Sequence, residues 1–248
     1  MPWFDRLAQL DPDPFGNEVL SAMRGLFVTG TDTEIGKSVV AAALTASLAA
    51  GGLAVGAYKP VVTGLDDPPE GGKPHDHVLL AACAGMAPED VAPYRFGPAV
   101  SPHLAAEAAG VAIDPDVLLA TARATAEGRT LVAEGVGGLL VPLTSDGYLV
   151  RDLIAALGLR VVLVARPGLG TINHTLLTLE SARAAGLDAR GVVLTPWPEA
   201  PTTMQASNRE TIARLGDVEV ATLARVPGFT PGQLAAAGAT LPYDRWLS

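Results

Sequence analysis

The nine residues Gly30-Thr31-Asp32-Thr33-Glu34-Ile35-Gly36-Lys37-Ser38 fit the pattern G-x-x-x-x-G-K-[ST], and they separate two segments of different character. Upstream, Gly25–Gly30 reads GLFVTG, an apolar run of strand length; downstream, Ser38–Ala50 reads SVVAAALTASLAA, rich in helix formers. A strand, a glycine turn and a helix N-terminus in that order aim successive backbone N–H groups at one place, a cradle for phosphate oxygens. In such a loop Gly36 admits a close backbone approach, Lys37 supplies a point charge, and the Ser38 hydroxyl is placed to ligate Mg²⁺. A strand that feeds directly into a helix also calls for parallel neighbours, so the loop constrains the fold as much as the ligand.

The remaining sequence repeats this alternation of short apolar runs and longer Ala/Leu-rich segments. It predicts strands at Gly25–Gly30, Leu53–Val62, Thr130–Glu134, Arg160–Arg166, Ala189–Thr195 and Val218–Val226. Helices are expected at Gly36–Ala50, Asp76–Ala84, Pro102–Ala109, Pro115–Glu127, Tyr148–Leu157, Ile172–Gly186 and Pro201–Leu215. Gly51–Gly52 and Gly186 stand where helices end in a glycine, and Asp114-Pro115 reads as an N-cap followed by proline at the first helical position. The implied architecture is α/β: a doubly wound, mainly parallel sheet with helices on both faces, of the P-loop nucleotide-hydrolase type. Residues 25–248 are expected to form one domain. Residues 1–24 precede it as an arm, whose Trp3, Phe4, Leu7 and Leu10 suit either an apolar helical face or a docked segment.

Composition narrows the partners. Hydrophobic residues make up 49% and charged residues 17%, which excludes a disordered chain. Lys plus Arg total 17 against 26 Asp plus Glu, a net charge of −9, which argues against nucleic-acid or anionic-membrane surfaces. The single Cys83 permits no internal disulfide and no zinc ribbon, and reads as a small core residue. No run approaches the ~18 apolar residues of a membrane span, and the first residues carry acids and prolines instead of a signal-peptide pattern. A soluble, cytoplasmic protein is expected.

Four acidic or basic residues outside the glycine–lysine pair attract chemistry. Glu34 stands beside the position of a γ-phosphate, where a carboxylate repels nucleotide; it makes sense facing a cationic group such as an amine, or as a solvated loop charge. Lys59, at the carboxyl end of the second strand, should point toward the phosphate loop, where it can stabilise charge developing in phosphoryl transfer. Glu134 ends an apolar strand ahead of Gly135, Gly137 and Gly138, the usual place for a second magnesium handle. Asp76 suits an N-cap as well as a metal ligand. His75 and His77 flank it, and both read as surface residues, since no further His or Cys forms a metal set with them.

Taken together, GTDTEIGKS, KPVVTG (Lys59–Gly64), SPHLAAEAAG (Ser101–Gly110), VAEGVGGLLVPL (Val132–Leu143) and GLGTINHTLLTLESARAAGL (Gly168–Leu187) closely resemble the dethiobiotin synthetase family, in its order and spacing. The resemblance runs from about Leu26 to Phe229. It implies ATP- and Mg²⁺-dependent carboxylation and ring closure of 7,8-diaminopelargonate with CO₂ to dethiobiotin, through a carbamate and a carbamic–phosphoric anhydride. It also implies a homodimer that shares its substrate site. Carried over by motif, Glu34, Ile35, Gly36, Lys37, Ser38 and Val39 correspond to the nucleotide loop, with Glu34 also facing the substrate. Lys59 corresponds to the catalytic lysine, with Lys37 on the phosphates, and Ser38, Asp76 and Glu134 correspond to the magnesium ligands. Glu134, Gly135, Val136 and Gly137 border the nucleotide, and Pro227, Gly228 and Phe229 match the loop near the base. Thr63 corresponds to a hydroxyl residue touching substrate. Gly170, Thr171, Ile172 and Asn173 correspond to the segment that holds the substrate carboxylate across the dimer. Without the family, Thr171 would read as an ordinary helix cap and Ser101-Pro102-His103 as a plain capped helix. The rival class is a deviant P-loop regulatory or partitioning ATPase, but that group usually carries a lysine early in the loop, where this chain has Thr31. Corrin-synthesis amidotransferases share a related loop but need a glutaminase domain for which this chain has neither room nor motif.

One departure from the family pattern generates a prediction. Where well-known members end a strand in an Asn-Asp pair bordering adenine, this chain has Thr195 and Pro196, and proline has neither a polar side chain nor a backbone N–H. Two neutral hydrogen bonds are worth about 2 kcal/mol, on the order of thirtyfold in base discrimination. CTP, GTP or UTP should therefore support turnover within about tenfold of ATP in steady-state kinetics. An ATP preference above roughly a hundredfold would mean that backbone groups near Trp197 or Gly228 read adenine instead.

Overall fold

The computed structural model describes residues 23–68 and 70–248; the apolar face considered for Trp3, Phe4, Leu7 and Leu10 lies outside the described residues. In chain order the described elements are β1 (Gly25–Gly30), α1 (Lys37–Ala50), β2 (Val55–Tyr58), β3 (Val61–Val62), α2 (Asp76–Ala84), α3 (Pro88–Val91), β4 (Tyr94–Arg95), α4 (Pro102–Ala108), α5 (Pro115–Ala126), β5 (Thr130–Glu134), α6 (Val150–Leu157), β6 (Arg160–Ala165), α7 (Thr171–Ala184), β7 (Ala189–Trp197), α8 (Thr203–Gly216), β8 (Glu219–Ala224), α9 (Pro231–Gly238) and α10 (Tyr243–Leu247). A short 3₁₀ turn, Glu70–Gly72, lies in the loop between β3 and α2.

Six strands form one sheet in the order β2-β5-β1-β6-β7-β8, every pair parallel. Strands buried on both sides need apolar residues at successive positions, and β1 and β5 are buried throughout. Alternate residues serve opposite faces: Leu26 and Val28 join the cluster under α1, α2, α9 and α10, whereas Phe27 joins the cluster under α4, α5 and α6. A third cluster seats α7 and α8 on β6, β7 and β8. Helices thus cover both faces, as the alternating pattern implies. β1 is central, and the chain leaves it for both sides of the sheet, so the crevice beside its carboxyl end is the natural ligand position.

The structure corrects several boundaries. The expected strand Leu53–Val62 is broken: β2 stops at Tyr58, and β3 pairs with β4 in a separate two-stranded sheet. The break falls at Lys59-Pro60, where proline has no N–H for a ladder and the Lys59 N–H donates instead to Val91 O at 2.9 Å. Helix α7 is capped by Gly170, at φ 89°, and not by Thr171, which is its buried first residue. Ser101 precedes α4 but makes no side-chain cap bond, whereas Asp114 caps α5 by accepting from the Asp116 N–H. His77 is buried, contrary to a surface reading, because the start of α2 packs inward. Cys83 is buried as expected.

Helices α9 and α10, which the hydrophobic pattern did not reveal, close the face that carries α1. Arg160 reaches the end of α10, donating to Leu247 O at 2.8 Å and Ser248 O at 3.1 Å. Gly238 in α9 lies so close to α1 that an added Cβ would collide with the carbonyl of Ala43. Gly238→Ala should therefore force α9 away from the helix that follows the phosphate loop and cost about 1–3 kcal/mol. Urea unfolding monitored by circular dichroism measures this, and an unchanged midpoint would show that α9 shifts freely.

Candidate active site

At the carboxyl end of β1 the chain turns through Thr31–Gly36 before entering α1. Gly36 has φ 96°, a conformation costly for any side chain, and an added Cβ would lie 2.9 Å from Thr195 Cγ2. Glu34 is exposed and has φ 57°, at a cost of about 1–2 kcal/mol for a non-glycine residue. Lys37 folds back over the loop and donates to Asp32 O at 2.6 Å. Burial in the first place lowers its ammonium pKa to about 8. The loop is tied to its neighbour strand, since the Thr31 N–H donates to Val164 O at 3.0 Å and Arg166 pairs with Asp32 at 2.8 Å.

Pairing of β1 with β5 sets Val28 against Glu134 and so brings the end of β5 beside the loop. The Ser38 hydroxyl donates to Glu134 Oε1 at 2.8 Å. Lys59 Nζ lies 2.8 Å from the same oxygen, 3.0 Å from Asp76 Oδ2 and 3.4 Å from Gly135 O. Lys73 completes the cluster, 2.7 Å from Asp76 Oδ1. Three sequence segments singled out separately, Lys37-Ser38, Lys59 and Glu134, therefore converge, and Asp76 joins them from the first residue of α2. Burial works against the Asp76 charge, yet Lys59 and Lys73 hold its carboxyl far below the usual carboxylate range. Burial pushes Glu134 upward, against the pull of Lys59. The Lys59 ammonium is held above its ordinary value: burial opposes its charge, but the two carboxylates outweigh it.

Among the described residues Glu134 Oε2 has no hydrogen-bond partner, although Glu134 is fully buried. An orphaned carboxylate oxygen is costly without a cation. A divalent ion fits here, with one hydroxyl from Ser38 and carboxylate oxygens from Asp76 and Glu134. Among the described residues no group of three or more His, Cys, Asp and Glu side chains converges as a metal set. One hydroxyl and two carboxylates are a set that would suit a hard divalent ion able to keep several waters.

The other expected residues are distributed as follows. Ile35 is buried, and Val39 is half-buried against the core cluster under α1. Gly135 is buried, and Val136 and Gly137 continue from it beside the loop; a Cβ on Gly137, at φ 60°, would stand 3.6 Å from Thr33 Oγ1. Thr195 is buried against Gly36, whereas Pro196 is exposed. Pro227 is exposed, and Phe229 packs on the same cluster as α1. Thr63 is half-buried just past β3. Gly170 and Asn173 are exposed at the head of α7, with Ile172 half-buried. A groove of about 420 Å³ lies beside the phosphate loop, lined by Thr31, Asp32 and Thr33 together with Leu140, Val141, Leu177 and Thr178. Another hollow, of about 500 Å³ beside Met23, Arg24 and Arg123, lies at the opposite end of the strands, away from this chemistry.

Sequence reasoning missed Lys73 and Arg166. Lys73 lies in a glycine- and proline-rich stretch that reads as solvent loop, although its three-residue spacing to Asp76 was a usable signal. Arg166, like Lys59, follows the end of a parallel strand, and that position was its signal.

Comparison with known proteins gives a consistent pattern. A family model described as an AAA domain matches residues 24–230. The chain is 39% identical to an ATP-dependent dethiobiotin synthetase from Mycobacterium sp. (strain KMS), over 91% of this chain and 99% of that one. It is 42% identical to the corresponding protein of Anaeromyxobacter sp. (strain Fw109-5), over 79% and 91%, and 38% identical to that of Bacillus subtilis (strain 168), over 80% and 85%. Among solved structures, a ParA family ATPase from Chlorobium tepidum TLS superposes with a TM-score of 0.51 at 11% identity, covering 89% of this chain and 92% of that one. That last likeness is one of fold alone.

The buried cluster supplies its own test. Lys59→Met would leave Glu134 and Asp76 facing each other without the ammonium that contacts both, with Lys73 on Asp76 and Lys37 nearby as the remaining counter-ions. Breaking a buried pair by removing one partner costs about 3–5 kcal/mol, so urea stability should fall by that order. Adding Glu134→Gln should restore part of the loss, and if it restores none the pair does not carry the cost.

Proposed function

The chain belongs to the dethiobiotin synthetase family, and on that premise we propose that it converts 7,8-diaminopelargonate, CO₂ and MgATP into dethiobiotin, ADP and phosphate. The observation that carries this reading is the buried Lys59, held 2.8 Å from Glu134 and 3.0 Å from Asp76 at the mouth of the phosphate loop. A reaction that joins a triphosphate to a carbamate gathers anions in one place, and a pre-positioned ammonium screens the charge that builds up between them.

In this reading Lys37 and the loop N–H groups bind the phosphates. Ser38, Asp76 and Glu134 hold Mg²⁺, which when bound screens the phosphate charge. One substrate amine adds to CO₂ and loses a proton, giving the carbamate, whose oxygen Lys59 holds near the γ-phosphorus; that oxygen attacks, ADP leaves, and the carbamic–phosphoric anhydride forms. The second amine then attacks the activated carbonyl carbon, phosphate leaves, and the ureido ring closes. Glu34, exposed on the loop, faces the substrate ammonium, which accounts for an acidic residue in a strained loop position. Thr63 supplies a hydroxyl contact. Thr195, Pro196 and Pro227–Phe229 border the base.

The substrate carboxylate is received at the head of α7, Gly170–Asn173, where the first-turn N–H groups of Ile172 and Asn173 favour an anion. We assign that contact to the second subunit of a homodimer. Exposed Leu140, Leu169 and Leu177 support the assignment, since Leu140 and Leu177 line the groove beside the loop and Leu169 adjoins the head of α7. The partitioning-ATPase alternative is not favoured, because the ParA likeness stops at the fold while dethiobiotin synthetases match at 38–42% identity.

The decisive assay is ADP release that depends on both bicarbonate and diaminopelargonate, with dethiobiotin identified by mass; release indifferent to diaminopelargonate would refute the proposal. Subunit sharing has a separate test. Asn173→Asp places a carboxylate where the substrate carboxylate docks, and Lys37→Ala disables the phosphate loop. Mixing the two inactive chains should recover part of the activity, because one hybrid site carries neither lesion. No recovery despite demonstrated subunit exchange would count against a shared site.

A further inference from the structure

Lys73 has no part in the chemistry above, yet it occupies an oxygen that the chemistry needs. Asp76 presents Oδ1 to Lys73 at 2.7 Å and Oδ2 to Lys59 at 3.0 Å, so both of its oxygens are engaged. Glu134 Oε1 is engaged by Lys59 and Ser38, and only Oε2, in a fully buried residue, is unpartnered. A divalent cation approaching this cluster meets one unpartnered carboxylate oxygen, the Ser38 hydroxyl oxygen and three ammonium groups, those of Lys37, Lys59 and Lys73. Close approach to Asp76 sets it against the ammonium groups already paired there, so gaining that carboxylate favours release of a lysine.

The two lysines on Asp76 differ in how easily they let go. Lys59 is 3% exposed and is also held by Glu134 and the Gly135 carbonyl. The Lys73 side chain is 29% exposed, its one ion pair is with Asp76, and it follows Gly71 and Gly72, both at positive φ. A partly exposed pair with one long side chain reaching solvent is exchanged more readily than the buried contacts of Lys59. What decides the exchange is the charge that accompanies the metal. A free divalent ion adds positive charge to a cluster already crowded with it, whereas a metal–nucleotide complex brings phosphate oxygens that can pair with the released ammonium.

We propose that Lys73 is a positioning residue that guards Asp76: it holds Oδ1 until a divalent cation arrives with nucleotide phosphates, so that the site takes the metal–nucleotide complex in preference to the free ion. This inference rests on the reading of Ser38, Asp76 and Glu134 as the cation site, and it does not depend on which amine or acid the enzyme transforms.

The test is Mn²⁺ binding to the full-length protein, followed by electron paramagnetic resonance with and without a non-hydrolysable ATP analogue. Without nucleotide, Lys73→Met should bind Mn²⁺ about tenfold more tightly than the wild type, the change expected on removing one positive charge near a divalent ion in a solvent-screened site. Lys73→Arg, which keeps the charge, should behave like the wild type. With the analogue present the advantage of Lys73→Met should shrink to within about threefold, because phosphate then compensates the lysine. Equal free-Mn²⁺ affinity in the wild type and Lys73→Met would overturn the proposal. Undiminished Mn²⁺ binding by Glu134→Gln would overturn the cation assignment beneath it. Dethiobiotin formation plays no part in this readout, so failure of the proposed reaction and failure of this guard are separately visible.

Discussion

Parallel strands share a carboxyl edge, and in this protein the register at that edge decides what can meet. Val28 pairs with Glu134 on one side of β1 and with Val162 on the other. Because the strands run the same way, the residues that follow β1, β5 and β6 emerge together, and the phosphate loop acquires Glu134 from one neighbour and Arg166 from the other. A shift of one residue would turn Glu134 to the opposite face of the sheet and bury it among aliphatic side chains. The apolar packing of both faces, with Leu26 and Val28 under one set of helices and Phe27 under another, resists such a slip.

On this frame the site is a problem of charge in a medium that screens poorly. Lys37, Lys59, Asp76 and Glu134 lie close together with little water, and each is bearable only because of the others. The consequences are visible in opposite shifts: Lys37 is lowered by burial, while Lys59 is raised because its two carboxylates outweigh burial. Ligands with phosphate and a divalent ion complete the balance. The charged groups are therefore already gathered in the folded chain, each held in place by the others.

The ParA family ATPase with which the chain superposes, at 11% identity, shares its fold. What separates the two readings is the sequence, which, at 38–42% identity to dethiobiotin synthetases over most of the chain, places it in that family. Fold alone would not have distinguished them.

The glycine–lysine loop, its flanking strand and helix, and the alternation of apolar runs were sufficient for the architecture, because a βαβ unit leaves few ways to bury a parallel sheet. Residue order alone likewise marked Lys59 and Glu134, since strand ends in such sheets face the ligand. Other features required the packed chain. The strand Leu53–Val62 reads as continuous, but Lys59-Pro60 breaks it and lets β3 pair elsewhere. Helices α9 and α10 carry weak patterns of their own and exist through contact with α1 and Arg160. Asp76 read equally as an N-cap or a ligand, and only the packing of α2 against β2 shows its carboxylate beside Lys59, while Lys73 read as solvent. Sequence periodicity reports which residues seek the core. Which charges then share a pocket depends on loops whose geometry is set by what they pack against, and only the tertiary structure decided that.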